Sequence, residues 1–259
     1  MPLTFYKKPA FVAYVTCGDP DLATTREIVL AAIEAGADVI ELGVPFSDPV
    51  ADGPVIQRAS ERALKHGTSL AQVLTLAAEI REQAQSTGLI VFSYLNPILR
   101  MGLEKFCKVA RAAGIDGALV TDLPVEEAGA YLASMREHDL APVFLAAPTS
   151  PDARLKRIAE ASRGFVYAVS RTGVTGQRQQ LAEDAQKLVK RLRRVTGLPI
   201  ALGFGISTPQ QFAEVGEFAD AVVVGSAIVE TVEKNRGREA AAVGEFVRKL
   251  TAASVEAAV

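Results

Sequence analysis

Eight short apolar runs, separated by amphipathic stretches and spread along the whole chain, constrain this sequence more than any other feature. They are Phe11–Thr16, Val39–Gly43, Leu89–Tyr94, Gly117–Asp122, Pro142–Ala147, Gly164–Ser170, Pro199–Gly203 and Ala221–Gly225. Most are continuous rather than alternating and are rich in β-branched or aromatic residues, as in strands buried on both faces. The intervening segments carry a helical period. Leu70, Val73, Leu74, Ala77 and Ile80 share one face, as do Leu103, Phe106, Cys107 and Ala110. The pattern returns at Leu181, Ala185, Leu188, Val189 and Leu192, and last at Val243, Phe246, Val247 and Leu250. Gly36 and Gly114 stand at helix-to-strand junctions, where a helix C-cap favours glycine.

Eight β/α units in 259 residues predict an α/β fold, a single closed (β/α)8 TIM barrel, with a doubly wound open sheet as the structural alternative. No Pro/Gly/Ser linker or shift in composition divides the chain, so one domain is expected over residues 1–259. In such a barrel, chemistry belongs where strands end and βα loops begin.

Glu41 stands near the C-terminal end of the second run, inside an otherwise apolar strand. Burial there raises a carboxyl pKa toward neutrality, which suits proton transfer in both directions. A structural Glu paired with a backbone or side-chain partner is the other explanation. The loop that follows, from Val44 to Pro54, is long for a βα connection and stiffened by three prolines. It holds Asp52 before Gly53, either a functional carboxylate or a turn residue.

Glycines end the late strands: Gly173 and Gly176 after the sixth, Gly203 and Gly205 at the seventh, and Gly225 before Ser226 at the eighth. Backbone N–H groups at such positions approach an anion closely, and a helix opening at Ser226 would turn its positive end toward it. A phosphate site formed by these loops is expected, with ordinary tight turns as the alternative.

Other chemistries lack their residues. None of the ten lysines falls at the end of a predicted strand, so a Schiff-base nucleophile is missing. Two histidines, His66 and His138, fall in a Gly-flanked loop and near a helix end, which speaks against a His-rich metal site. A net charge of −2 without long runs of like charge argues against nucleic acid or an anionic membrane as partner. Two distant cysteines suggest no disulfide framework. With neither a convincing signal peptide nor a membrane-spanning apolar run, they point to a cytoplasmic protein. Metal-free acid–base chemistry on a phosphorylated small molecule remains.

The stretch from Glu41 to Pro54, Glu-Leu-Gly-Val-Pro-Phe-Ser-Asp-Pro-Val-Ala-Asp-Gly-Pro, closely resembles the signature of the tryptophan synthase alpha subunit family. Thr121–Pro124, Ser170–Gly176, Gly203–Ser207 and Gly225–Val229 resemble further family segments in the same order, and the likeness extends from about Pro9 onward. The resemblance implies retro-aldol cleavage of indole-3-glycerol phosphate to indole and glyceraldehyde 3-phosphate. It implies that Glu41 moves the protons, that Asp52 balances charge at the indole nitrogen, and that Tyr167 lines the site. It further implies that Gly176, Gly205, Gly225 and Ser226 hold the phosphate, that Thr175 fastens its loop to Asp52, and that Phe204 and Tyr94 wall the indole pocket.

No cofactor is implied for this chain. A pyridoxal-phosphate β subunit in an α2β2 complex is implied as partner. A stand-alone lyase, a non-catalytic phosphate-binding barrel that regulates a partner, and a phosphoribosyl isomerase sharing only the phosphate loops are the rival functions. Two departures stand out. Only Met1 to Pro9 precede the first strand, where relatives often add a helix, so a less covered barrel floor is expected. Tyr14 stands where relatives often have Phe.

Overall fold

The computed structural model describes residues 3, 5, 7–169, 178–203 and 205–256. Its strands are β1 (Ala10–Thr16), β2 (Val39–Gly43), β3 (Gly88–Ser93), β4 (Gly117–Val120), β5 (Ala141–Val143), β6 (Leu145–Ala146), β7 (Val166–Val169), β8 (Ile200–Gly203) and β9 (Ala221–Val224). All pair in parallel, in the order β5-β4-β3-β2-β1-β9-β8-β7-β6. The two ends of that order are separated in the chain only by Phe144, whose carbonyl accepts from the Tyr167 N–H at 3.1 Å. β5 and β6 are therefore one strand position that turns from neighbour β4 to neighbour β7, and the sheet closes into a barrel. The expected strand positions are all present, the fifth of them split.

The helices are α1 (Leu22–Glu34), α2 (Pro54–Lys65), α3 (Leu70–Gln83), α4 (Leu95–Met101), α5 (Leu103–Ala112), α6 (Gly129–Glu137), α7 (Asp152–Ala161), α8 (Arg178–Arg193), α9 (Pro209–Gly216), α10 (Ser226–Lys234) and α11 (Glu239–Glu256). The period read in the sequence is the buried face: α3 buries Leu70, Val73, Leu74, Ala77 and Ile80, and α8 buries Ala185, Leu188, Val189 and Leu192. Gly36 (φ +110°) and Gly114 (φ +77°) adopt the left-handed backbone that ends α1 and α5.

Two apolar layers result. Phe11, Ala13, Ile40, Leu42, Val91 and Val222 face outward to the helices, while Val12, Val39, Ile90, Leu119 and Val223 fill the barrel. Both faces of every strand are covered, which is why the runs read as continuous rather than alternating. The floor departs from expectation. Leu3, 6 % exposed, packs among the barrel-interior residues, and the ring of Phe5 lies 5.4 Å from that of Phe165. Two apolar side chains of the N-terminal segment thus cover the floor.

At that same end Arg81 of α3 gathers loose carbonyls. Its guanidinium donates to Gly114 O at 2.9 and 2.8 Å, to Ala84 O, Gln85 O and Thr87 O at 2.8–3.1 Å, and to the carboxylate of Asp116 at 2.8 Å. Arg81→Ala should lower unfolding stability by about 3 kcal/mol, because Asp116 loses its guanidinium and several carbonyls lose their donor. The denaturant midpoint reports the loss. Turnover per folded molecule should be unchanged, since Arg81 lies opposite the catalytic mouth.

Candidate active site

Parallel register decides where Glu41 points. Glu41 pairs with Tyr14 of β1 and Ile90 of β3, and strand alternation turns it inward like Val39 two residues earlier. It is 0 % exposed, and neither carboxyl oxygen meets a hydrogen-bond partner among the described residues. Burial pushes its carboxyl up from the usual range to about 8.

Two tyrosines stand beside it in the barrel. Tyr14 packs edge-on against Phe92, ring centres 5.0 Å apart, and its hydroxyl accepts from Thr16 Oγ1 at 3.4 Å. A Cβ at Gly43 would collide with that hydroxyl, and one at Gly203 would lie 2.8 Å from the hydroxyl of Tyr167. Both strand-end glycines therefore make room for phenols. Burial raises both phenols well above the ordinary range. The Asp52 charge adds most to that at Tyr14, and the Glu41 charge at Tyr167. Glu41, Asp52, Tyr14 and Tyr167 thus share one electrostatic environment.

The Asp52 loop is held from three sides. Tyr94, at the end of β3, donates its hydroxyl to Asp52 Oδ2 at 3.0 Å and accepts from the Ala51 N–H at 2.9 Å. Its ring stacks on Phe46 at 5.0 Å, and Gln57 Nε2 of α2 donates to Asp52 O at 2.9 Å. Partial burial raises the Asp52 carboxyl, and the Tyr94 hydrogen bond works against that rise. Such anchoring exceeds what a turn residue requires. It also makes Tyr94 a holder of Asp52, a contact the sequence did not suggest.

On the far side of the mouth, Gly205 after β8 has φ +63°, a conformation that favours glycine. Gly225 ends β9 as the N-cap of α10, which opens at Ser226, so the free N–H groups of its first turn face the mouth. Thr175, Gly176 and Phe204 lie outside the described residues, as does the whole connection between β7 and α8. Sequence reasoning missed Thr16, Gln57 and the tyrosine-accommodating role of Gly43. Only the last left a signal, a glycine closing an apolar strand.

Among the described residues no group of three or more His, Cys, Asp or Glu could hold a metal ion, and no helix is long and apolar enough to cross a membrane. Cys17 and Cys107 are buried and unpaired.

The sequence profile of the family described as Tryptophan synthase alpha chain matches residues 3–258. The Tryptophan synthase alpha chain of Solibacter usitatus is 55 % identical over 228 residues, 88 % of this chain and 85 % of that one. That of Neisseria meningitidis is 45 % identical over 241 residues, 93 % and 92 % of the two chains. Among solved structures, tryptophan synthase subunit alpha from Legionella pneumophila superposes with a TM-score of 0.88 at 35 % identity, covering 96 % of this chain and 93 % of that one. A chain of the tryptophan synthase complex from Pyrococcus furiosus gives 0.88 at 37 % identity, covering 96 % and 100 %. With the strand 2 carboxylate, its anchored neighbour and the glycine-lined mouth on one barrel face, this chain belongs to the tryptophan synthase alpha chain family.

Proposed function

We propose that this chain is a carbon–carbon lyase that splits indole-3-glycerol phosphate into indole and glyceraldehyde 3-phosphate, with Glu41 as acid and base and Asp52 as electrostatic partner. The observation that carries this is the fully buried Glu41 carboxyl, raised to about 8 and without a hydrogen-bond partner among the described residues. At neutral pH it holds a proton, and no described residue engages either oxygen. Glu41 gives that proton to indole C3, leaving positive charge at the ring nitrogen, which the Asp52 carboxylate offsets. The Glu41 carboxylate then takes the hydroxyl proton from the carbon attached to C3. The C–C bond breaks, its electron pair returns to the ring, and Glu41 ends protonated as it began.

Tyr167 lines the ring site beside Glu41, and Tyr94 bounds it while fixing Asp52. Gly205, Gly225 and Ser226 take the phosphate on backbone N–H groups and the positive end of α10. Gly176, Thr175 and Phe204 are assigned by family resemblance alone. The indole passes to a pyridoxal-phosphate β subunit in an α2β2 complex for tryptophan synthesis, while this chain needs no cofactor of its own. The relative from Pyrococcus furiosus is described as part of a complex, which supports that partnership. The buried thiols suit a cytoplasmic setting.

Turnover of indole-3-glycerol phosphate, measured with and without a tryptophan synthase β subunit, tests the proposal. The isolated chain should release indole slowly, and the β subunit should accelerate it. Because the protonated Glu41 starts the reaction, kcat/KM should fall as pH rises through about 8. A kcat/KM that climbs steadily from pH 7 to 9 would contradict the acid role.

A further inference from the structure

An ion network outside the reacting groups, anchored on the buried Asp19, joins the two halves of the site. Arg62 of α2 donates through Nε and Nη2 to both carboxylate oxygens of Asp19, at 2.9 and 2.8 Å, and through Nη1 to Glu233 of α10 at 2.8 Å. Asp19 lies on the loop between β1 and α1 and is 1 % exposed. Arg58, one turn earlier on α2, grips Glu233 bidentately at 3.0 and 2.7 Å. Exposed pairs contribute little, but a carboxylate as buried as Asp19 requires its cations, which are Arg62 and, at 3.3 Å from Oδ1, Arg236.

The network fixes α2 against α10, and both helices begin at the mouth. α2 starts two residues after Asp52 and holds its carbonyl through Gln57. α10 starts at Ser226, and Ala59 of α2 packs with Val229 of α10 around Tyr14. Arg62 sits about 12 Å along α2 from Pro54 at 1.5 Å per residue, and Glu233 about 10 Å along α10 from Ser226. Arg58 and Arg62 therefore both tie α2 to α10, and Arg62 alone of the two also reaches the β1 loop through Asp19. On the proposed function, one start presents Asp52 to the indole ring and the other presents N–H groups to the phosphate. A single substrate must span both.

We infer that Arg62 is a positioning residue, which sets the distance between Asp52 and the phosphate-binding turn by bridging α2, α10 and the β1 loop. It touches no substrate and acts through Asp52. The inference rests on the proposed role of Asp52 and is tested by a double-mutant cycle of Arg62→Lys with Asp52→Asn in the full chain. A lysine retains a cation for Asp19, but its single ammonium does not reproduce the fork that reaches Asp19 and Glu233 together.

Arg62→Lys should lower kcat/KM for indole-3-glycerol phosphate about tenfold, as expected for a modest misplacement of a working group. Affinity for inorganic phosphate, which engages only one end, should stay within twofold of the parent. In the Asp52→Asn background the same change should cost less than twofold. Glu233→Gln, nearly isosteric and at the surface, should repeat the pattern if the lysine variant does not fold.

Equal losses in both backgrounds, a parallel loss of phosphate affinity, or unchanged turnover would each overturn the positioning role. Parental turnover by Asp52→Asn alone would instead remove the proposed role of Asp52, and the coupling with it. The single variant separates that failure from the others.

Discussion

Glu41→Gln should lower kcat by roughly 10²–10⁴-fold or more, the range for loss of general acid–base work, because the same carboxyl serves both proton transfers. The amide keeps the size and the burial but exchanges no proton. The variant should also fold at least as well as the parent, with a definite pH dependence. The folded-state pKa of about 8 exceeds the ordinary carboxyl value of 4.5. Below about 4.5 Glu41 is protonated whether folded or unfolded, and the parent suffers no penalty. Between the two values the unfolded chain gives up a proton that the folded chain keeps, so parental stability declines as pH rises and levels off above about 8. The stability advantage of Glu41→Gln should therefore be absent near pH 4 and reach a few kcal/mol by pH 9. Denaturant titrations at the two pH values measure it. A purified variant with most of its kcat would exclude Glu41 as the acid–base residue, and an advantage that did not grow with pH would contradict its raised pKa.

Asp52→Asn should lower kcat roughly 10²-fold or more, since a neutral amide cannot balance the charge developing on the indole nitrogen. Its carbonyl oxygen can still accept from Tyr94, and the Ala51 N–H and Gln57 contacts to the loop involve other atoms. The loop should hold its shape, and glycerol 3-phosphate should bind as before. Turnover and ligand binding measured on the same preparation decide the matter. Loss of both together would mark Asp52 as a residue that shapes the loop, and loss of turnover alone would mark it as one that acts on the substrate.

The two predictions depend on different amounts of tertiary information. Glu41 is conspicuous in sequence because a lone carboxyl in an apolar run is costly to bury. Its inward orientation follows from strand alternation once the pairing with Tyr14 and Ile90 is known. Asp52 is conspicuous only through family likeness, since an Asp before Gly is ordinary turn chemistry. Its distinction comes from Tyr94, 42 residues away, and no local pattern announces a phenol that arrives from a neighbouring strand. Strand-end glycines divide in the same way. Gly205 and Gly225 are legible as glycines that follow apolar runs, whereas the room that Gly203 makes for Tyr167 is visible only with the barrel closed.

By itself the sequence determined the succession of strands and helices and the faces the helices bury. Periodicity is a local property, and burying an apolar stripe has few geometric solutions. It determined the family as well, through the run from Glu41 to Pro54. Only the tertiary structure decided what bears on the site from a distance. The floor closes on Leu3 and Phe5, β5 and β6 share one barrel position, and Arg62 reaches Asp19 and Glu233 across 43 and 171 residues. Such contacts have no period to read. A parallel barrel brings its first and last strands together only when it closes, and the partners of a buried charge are fixed at that step.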